Sequence, residues 1–166
     1  MIMDAPSPPL PAPPPSALPG KYLAFTLGRE SYGVPVLAVR EIIRLCPITP
    51  VASMPAHVRG VINLRGKVIP VVDLRIRFGL HDVVDHDRTC IVIMQVAAAG
   101  GGSRPYGAIV DGVDEVAAYA AEDLVPPPDF GVAIDTRFIT GMARRDAGVT
   151  TLIDLEAIAR ADREPA

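Results

Sequence analysis

An internal repeat constrains this chain more than any other feature. Residues 32–42 read YGVPVLAVREI and residues 106–116 read YGAIVDGVDEV, so Tyr, Gly, Val, Val and Glu recur in register and Ile42 is matched by Val116. A second pair follows, GVINLRGKVIPVVDL at 60–74 and GMARRDAGVTTLIDL at 141–155. It aligns Gly60 with Gly141, Val68 with Val149, and Asp73-Leu74 with Asp154-Leu155. The offset grows from 74 to 81, which gives the second copy seven extra residues, placed around Pro126-Pro127-Pro128. Two divergent copies of one unit, each about 60–70 residues, account for the chain.

Each unit reads as β. Tyr22 to Leu27 alternates, with Leu23, Phe25 and Leu27 on one face. Val58–Leu64 and Lys67–Val72 flank Arg65-Gly66, a hairpin turn in which the glycine supplies positive φ. Val68–Val72 is almost wholly apolar, as for a strand covered on both sides, and Pro70 places it near an edge or a bulge. Asp73 reads as the N-cap of a short helix, Leu74 to Phe78, and Asp154 as that of Leu155 to Ala161. The second copy opens with Cys90–Val96, turns at Gly100-Gly101-Gly102 and resumes at Tyr106–Val110. Short strands and tight turns predict an all-β fold of two tandem small barrels, 21–80 and 88–160. A barrel that small is marginal alone, so the copies should pack together and leave a seam suited to a partner.

Outside the repeats, 1–20 reads as a proline-rich tail, holding eight of the 18 prolines, and 161–166 as a short C-terminal tail. The opening lacks the basic start and apolar core of a signal peptide. The longest apolar run, Cys90–Ala99, is too short to span a membrane, so a cytoplasmic protein is expected. Cys46 and Cys90 read as small apolar residues rather than a disulfide. Charge is strongly divided. Residues 21–80 carry nine Lys/Arg against three Asp/Glu, and residues 81–166 carry seven against fifteen. Such polarity suits docking to a partner of complementary sign.

No nucleotide-binding, hydrolase-elbow or HExxH pattern is present, so no catalytic residue, cofactor or resident metal is expected. The cluster His81-Asp82-Val83-Val84-Asp85-His86-Asp87 has metal-ligand chemistry but lies between the repeats, where a polar linker belongs. Arg40, Arg44, Arg59, Arg65, Lys67, Arg75 and Arg77 make the first unit basic. With few aromatics interleaved, they read as solvated faces or a protein dock ahead of a nucleic-acid-binding barrel, the competing class.

The runs KYLAFTLGRESYGVPVLAVREI and ITPVASMPAHVRGVINLRGKVIPVVDLRIRFGL resemble the first lobe of the CheW-like family of bacterial chemotaxis coupling proteins. YGAIVDGVDEV, PPPDFGV and FITGMARRDAGVTTLIDLEAI resemble its second lobe, so the likeness spans 21–160 as one two-lobed domain. The resemblance implies two five-stranded Src-homology-3-like barrels and a non-enzymatic adaptor. Its partners would be the cytoplasmic tip of methyl-accepting chemoreceptors and the regulatory domain of the histidine kinase CheA. It would then reach membrane receptor arrays through partners, without inserting in the membrane or binding nucleic acid. A paralogue serving a pilus or developmental array is the alternative within the family. By position, the likeness places Val39, Glu41, Ile42, Arg59, Gly60 and Arg65 near the receptor-binding groove, and Asp129 and Phe130 in the kinase-facing loop. Core packing for Val39 and Ile42, and backbone geometry for Gly60, are the competing roles. Arg144-Arg145-Asp146 departs from the NLRG turn of the first copy, so the second lobe should not repeat the receptor contact.

Overall fold

The structure, a computed structural model, describes residues 17–80, 83–98, 100–127, 137–145 and 148–163. The first repeat folds into β1 (Gly20–Leu27), β2 (Glu30–Pro35), β3 (Val39–Arg44), β4 (Val58–Leu64), β5 (Lys67–Asp73) and helix α1 (Leu74–Arg77). The second folds into β6 (Cys90–Ala97), β7 (Ser103–Val110), β8 (Gly112–Tyr119), β9 (Leu124–Val125), β10 (Ile139–Arg145), β11 (Gly148–Ile153) and helix α2 (Leu155–Arg163). Two sheets result, ordered β8-β1-β2-β11-β10-β9 and β3-β6-β7-β5-β4. The all-β, two-barrel class holds. The assignment of 21–80 to one barrel and 88–160 to the other does not, because each repeat lends its first hairpin to the other sheet. Hairpin β1–β2 pairs with β8 and β11, and hairpin β6–β7 with β3 and β5.

The physical reason lies in the apolar runs of the exchanged strands, which are buried on both faces. On β6, Ile91 and Ile93 enter the interior of one barrel with Ile62, Ile69, Val71 and Ile109. The alternate residues Val92, Met94 and Val96 face a central core between the sheets. On β1, Tyr22 enters the other barrel, while Leu23, Phe25 and Leu27 join that central core. A strand of this kind has no solvent face to keep, so it is stable only between two layers.

The two sheets are built alike down to single residues. Gly33 of β2 lies beside Leu152 of β11, and Gly107 of β7 beside Val71 of β5, each in the parallel pairing where the exchanged hairpin meets its host. A Cβ on Gly33 would come 2.9 Å from Leu152 Cδ2, and one on Gly107 3.2 Å from Val71 Cγ2. The repeated Tyr-Gly therefore marks close strand approach. Four local expectations are refined. Val68 is exposed rather than covered. Pro70 sits just before the stretch paired with β7 begins at Val71, so its missing N–H disturbs no bond on that side. Helix α2 continues through 161–163, residues expected to be tail. Residues 17–20 are also structured: Ala17 is buried, its N–H donates to Thr140 O, and β1 begins at Gly20.

Arg75, expected on a basic surface, is 1% exposed. All five of its N–H groups find acceptors. Nε donates to Asp73 Oδ1 at 2.9 Å, and the Nη2 group donates to Asp73 Oδ2 at 2.9 Å and Asp85 Oδ1 at 2.7 Å. The Nη1 group donates to Asp111 Oδ1 at 3.0 Å and Val84 O at 3.2 Å. Asp73 is also the N-cap, accepting from Arg75 N. Asp111 sits where the chain leaves one sheet for the other, and its second oxygen accepts from Gly28 N in the β1–β2 turn. The linker that was weighed as a metal cluster is thus committed through Asp85 to a guanidinium. Cys46 and Cys90 are free and half-buried. Replacing Arg75 by Met removes two of the donors to the buried Asp73 carboxylate and leaves it the Arg59 guanidinium, and we expect urea unfolding to show a loss of about 3 kcal/mol.

Candidate functional site

The β4–β5 hairpin turns on Arg65 (φ 52°) and Gly66 (φ 83°). Both central residues have positive φ, as a two-residue hairpin of right-handed twist requires. Asn63 Oδ1 accepts from Gly66 N and fixes the turn. The hairpin projects Arg65 across the mouth of its barrel to β3, the strand at the other sheet edge, where its Nη2 group donates to both Glu41 oxygens at 2.7 and 2.8 Å. Donation from Arg65, opposed in part by desolvation, holds the Glu41 carboxyl below its usual range. The same pairing raises the Arg65 guanidinium.

Strand β3 alternates in exposure. Val39, Glu41 and Ile43 are half-buried, whereas Arg40, Ile42 and Arg44 face outward. Val39 packs against the central core, and Ile42 is 45% exposed. Arg59 lies elsewhere in role: its Nη1 group is 3.0 Å from Asp73 Oδ2 and Nη2 is 3.8 Å from Asp85 Oδ2, so it belongs to the Arg75 network. Gly60 has φ +138°, and a Cβ there would lie 1.9 Å from Thr49 O. That contact is where segment 45–49 returns to bond Val61 and close the barrel. Of the six residues expected near a receptor groove, Glu41 and Arg65 form one surface pair. Val39 and Ile42 point different ways along the same strand, and Arg59 and Gly60 have structural tasks that account for them. Asp129 and Phe130 lie outside the described residues.

The seam expected from the sequence holds a groove of about 610 Å³ beside the start of β3, whose lining residues sequence reasoning did not single out. Leu18, Pro35, Leu37, Met94, Val96 and Leu155 are among its walls. Leu37 is 97% exposed and Leu18 is 73% exposed. A leucine left in water at a sheet crossover, rimming an apolar cleft, is an unusual concentration of uncovered apolar surface. Its signal in the sequence is a mismatch between the repeats: at the 74-residue offset, Leu37 stands where the second copy has Asp111.

Comparison with known proteins adds the following. The model of the CheW-like domain matches residues 21–163. The Chemotaxis protein CheW of Klebsiella aerogenes is 35% identical over 138 residues, covering 83% of this chain and 80% of that protein. Its counterpart from Rhizobium meliloti is 33% identical, covering 83% and 86%. The crystal structure of the scaffolding protein TtCheW from Thermoanaerobacter tengcongensis superposes with a TM-score of 0.72 at 35% identity, over 82% of this chain and 90% of that one.

Two outcomes follow from the geometry. Gly60→Ala should fail to accumulate as folded protein, as judged by loss of the dispersed amide spectrum, because the Thr49 carbonyl cannot move without opening the barrel. Carbon-detected titration of Glu41 should give a midpoint below 4.5 that returns toward it in Arg65→Met. The folded-state value is depressed, so whatever the pair contributes is present at neutral pH and is lost as pH falls through that midpoint.

Proposed function

The chain belongs to the CheW-like domain family, and we propose that this chemotaxis coupling adaptor joins the cytoplasmic tips of chemoreceptors to the histidine kinase CheA. The observation that carries the receptor half is the seam groove. A helix with an apolar stripe can bury that stripe against the exposed Leu18 and Leu37, over a floor of Met94 and Val96. The Glu41–Arg65 pair lies farther along β3 and offers charged, directional contacts to the polar flank of the same helix. Receptor contact by Arg59 and Gly60 is not part of this proposal, since both are accounted for inside the fold.

The kinase half is supported by polarity. The exchange of hairpins does not cancel the charge division, because segment 88–110 carries only Arg88 and Arg104, while 20–35 carries Lys21 and Arg29 against Glu30. One lobe stays basic and the other acidic. A head-to-tail contact with a homologous regulatory domain then pairs opposite signs and can close into a ring. Asp129 and Phe130 supply the kinase-facing loop in this reading.

Titration calorimetry of the full chain tests both halves. A chemoreceptor-tip helical hairpin should bind, and Leu37→Asp should weaken it about tenfold or more, near 1.4 kcal/mol; undiminished binding removes the groove from the proposal. The CheA regulatory domain should bind more weakly as salt rises, and more weakly to Phe130→Ala. Binding indifferent to ionic strength would end the charge-pairing account.

A further inference from the structure

The two sheet crossovers of this fold are equivalent places, and among the described residues an inter-repeat segment lines one of them. Phe25 pairs with Tyr32 and Met94 with Tyr106, so the repeated tyrosines fix Phe25 and Met94 as counterparts. Eight residues before each, Ala17 corresponds to His86, and Pro14-Pro15-Ser16 to Val83-Val84-Asp85. Leu37 corresponds to Asp111, and Glu156 to Arg75. At one crossover, Val83, Val84 and His86 line a small cleft with Arg75 and Asp111, and Arg75 bonds Val84 O and Asp85. At the other crossover, Ala17, Leu37 and Glu156 line the 610 Å³ groove.

We propose that the proline-rich segment 1–16 is the groove's own ligand, seated there as Val83–Asp85 are seated against Arg75. Three observations carry this. The chain enters the described fold at the groove wall: Ala17 is buried, its N–H donates to Thr140 O at 3.2 Å, and Tyr22 donates to Leu18 O at 2.6 Å. The described chain therefore begins at the rim, and a segment of this length tethered to it acts there at roughly millimolar effective concentration. The groove is apolar, and the segment offers it seven prolines with Leu10, Ile2 and two methionines. Proline fixes its own φ, so such a segment gives up little freedom on docking.

The chemistry of the two seats sets how firmly each is held. Arg75 meets carboxylates. Glu156, in the equivalent place, meets no basic side chain from the segment, whose single charged side chain is Asp4. Glu156 instead accepts from Ala97 N. One crossover is locked by ion pairs and the other is closed reversibly by apolar contact. The segment is thus an intramolecular competitor for the receptor helix, a consequence that rests on the function proposed above.

Amide spectra of the full chain and of a chain beginning at Ala17 test the seat directly. Truncation should shift Leu37, Gln95, Val96 and Glu156, and a peptide of residues 1–16 at millimolar concentration should return them. Pro14→Asp/Pro15→Asp in the full chain should reproduce the truncated spectrum. Shifts confined to 17–20 would overturn the proposal. The receptor-tip hairpin should bind the truncated chain about three- to tenfold tighter. Equal binding despite shifted groove amides overturns the competition. Shifted amides with no hairpin binding to either chain leave the seat standing and remove the coupling function.

Discussion

A guanidinium without access to water must satisfy all five N–H groups from protein, and Arg75 does so with three carboxylates and one carbonyl. The partners come from separate parts of the chain: the end of β5, the linker between repeats, and the turn where β7 passes into β8. That turn in turn holds the β1–β2 hairpin through Gly28. An interlaced fold depends on such a point. Each exchanged hairpin is far in sequence from the strands it pairs with, and the crossover is where an alternative pairing would begin. Burying one charge among several of opposite sign makes an arrangement that separates them costly.

The same crossover occurs a second time with different residues at the places of Asp111 and Arg75. Leu37 stands in the place of Asp111 and Glu156 in that of Arg75, and both line the groove. The two crossovers thus differ in chemistry, one fixed by buried ion pairs and the other lined by apolar side chains. The Glu41–Arg65 pair bridges the mouth of one barrel, and in sequence the second repeat has Asp146 in place of Arg65.

Three cores share the burial, and the one between the sheets is the largest. It takes alternate residues of β1, β2, β6 and β7, together with Phe138 and the inner face of α2. Arg77 and Arg137 lie over the Phe138 ring at 4.8 and 5.2 Å. Neither lobe has a complete core without the hairpin contributed by the other repeat, so the lobes form one body and the groove between them has walls fixed relative to each other.

Much of this was legible in the order of residues. The repeated Tyr-Gly, the Asp caps of α1 and α2, the Arg65-Gly66 turn and the inward Phe25 are local requirements of backbone geometry and strand period, and local physics reads directly from sequence. The family follows from the same motifs. Exchange of hairpins was not legible, because a strand apolar on both faces specifies burial but not which neighbour provides it. For the same reason Arg75 read as surface charge until Asp85 and Asp111 were brought to it, and the sequence, which left Gly60 between contact and backbone geometry, could not show Thr49 O against it or Asp73 beside Arg59. The sequence by itself determined two β units, their polarity and their kinship. Tertiary structure alone decided which crossover is locked by ion pairs and which is lined by apolar side chains, because that depends on charges and apolar groups tens of residues apart meeting at one point.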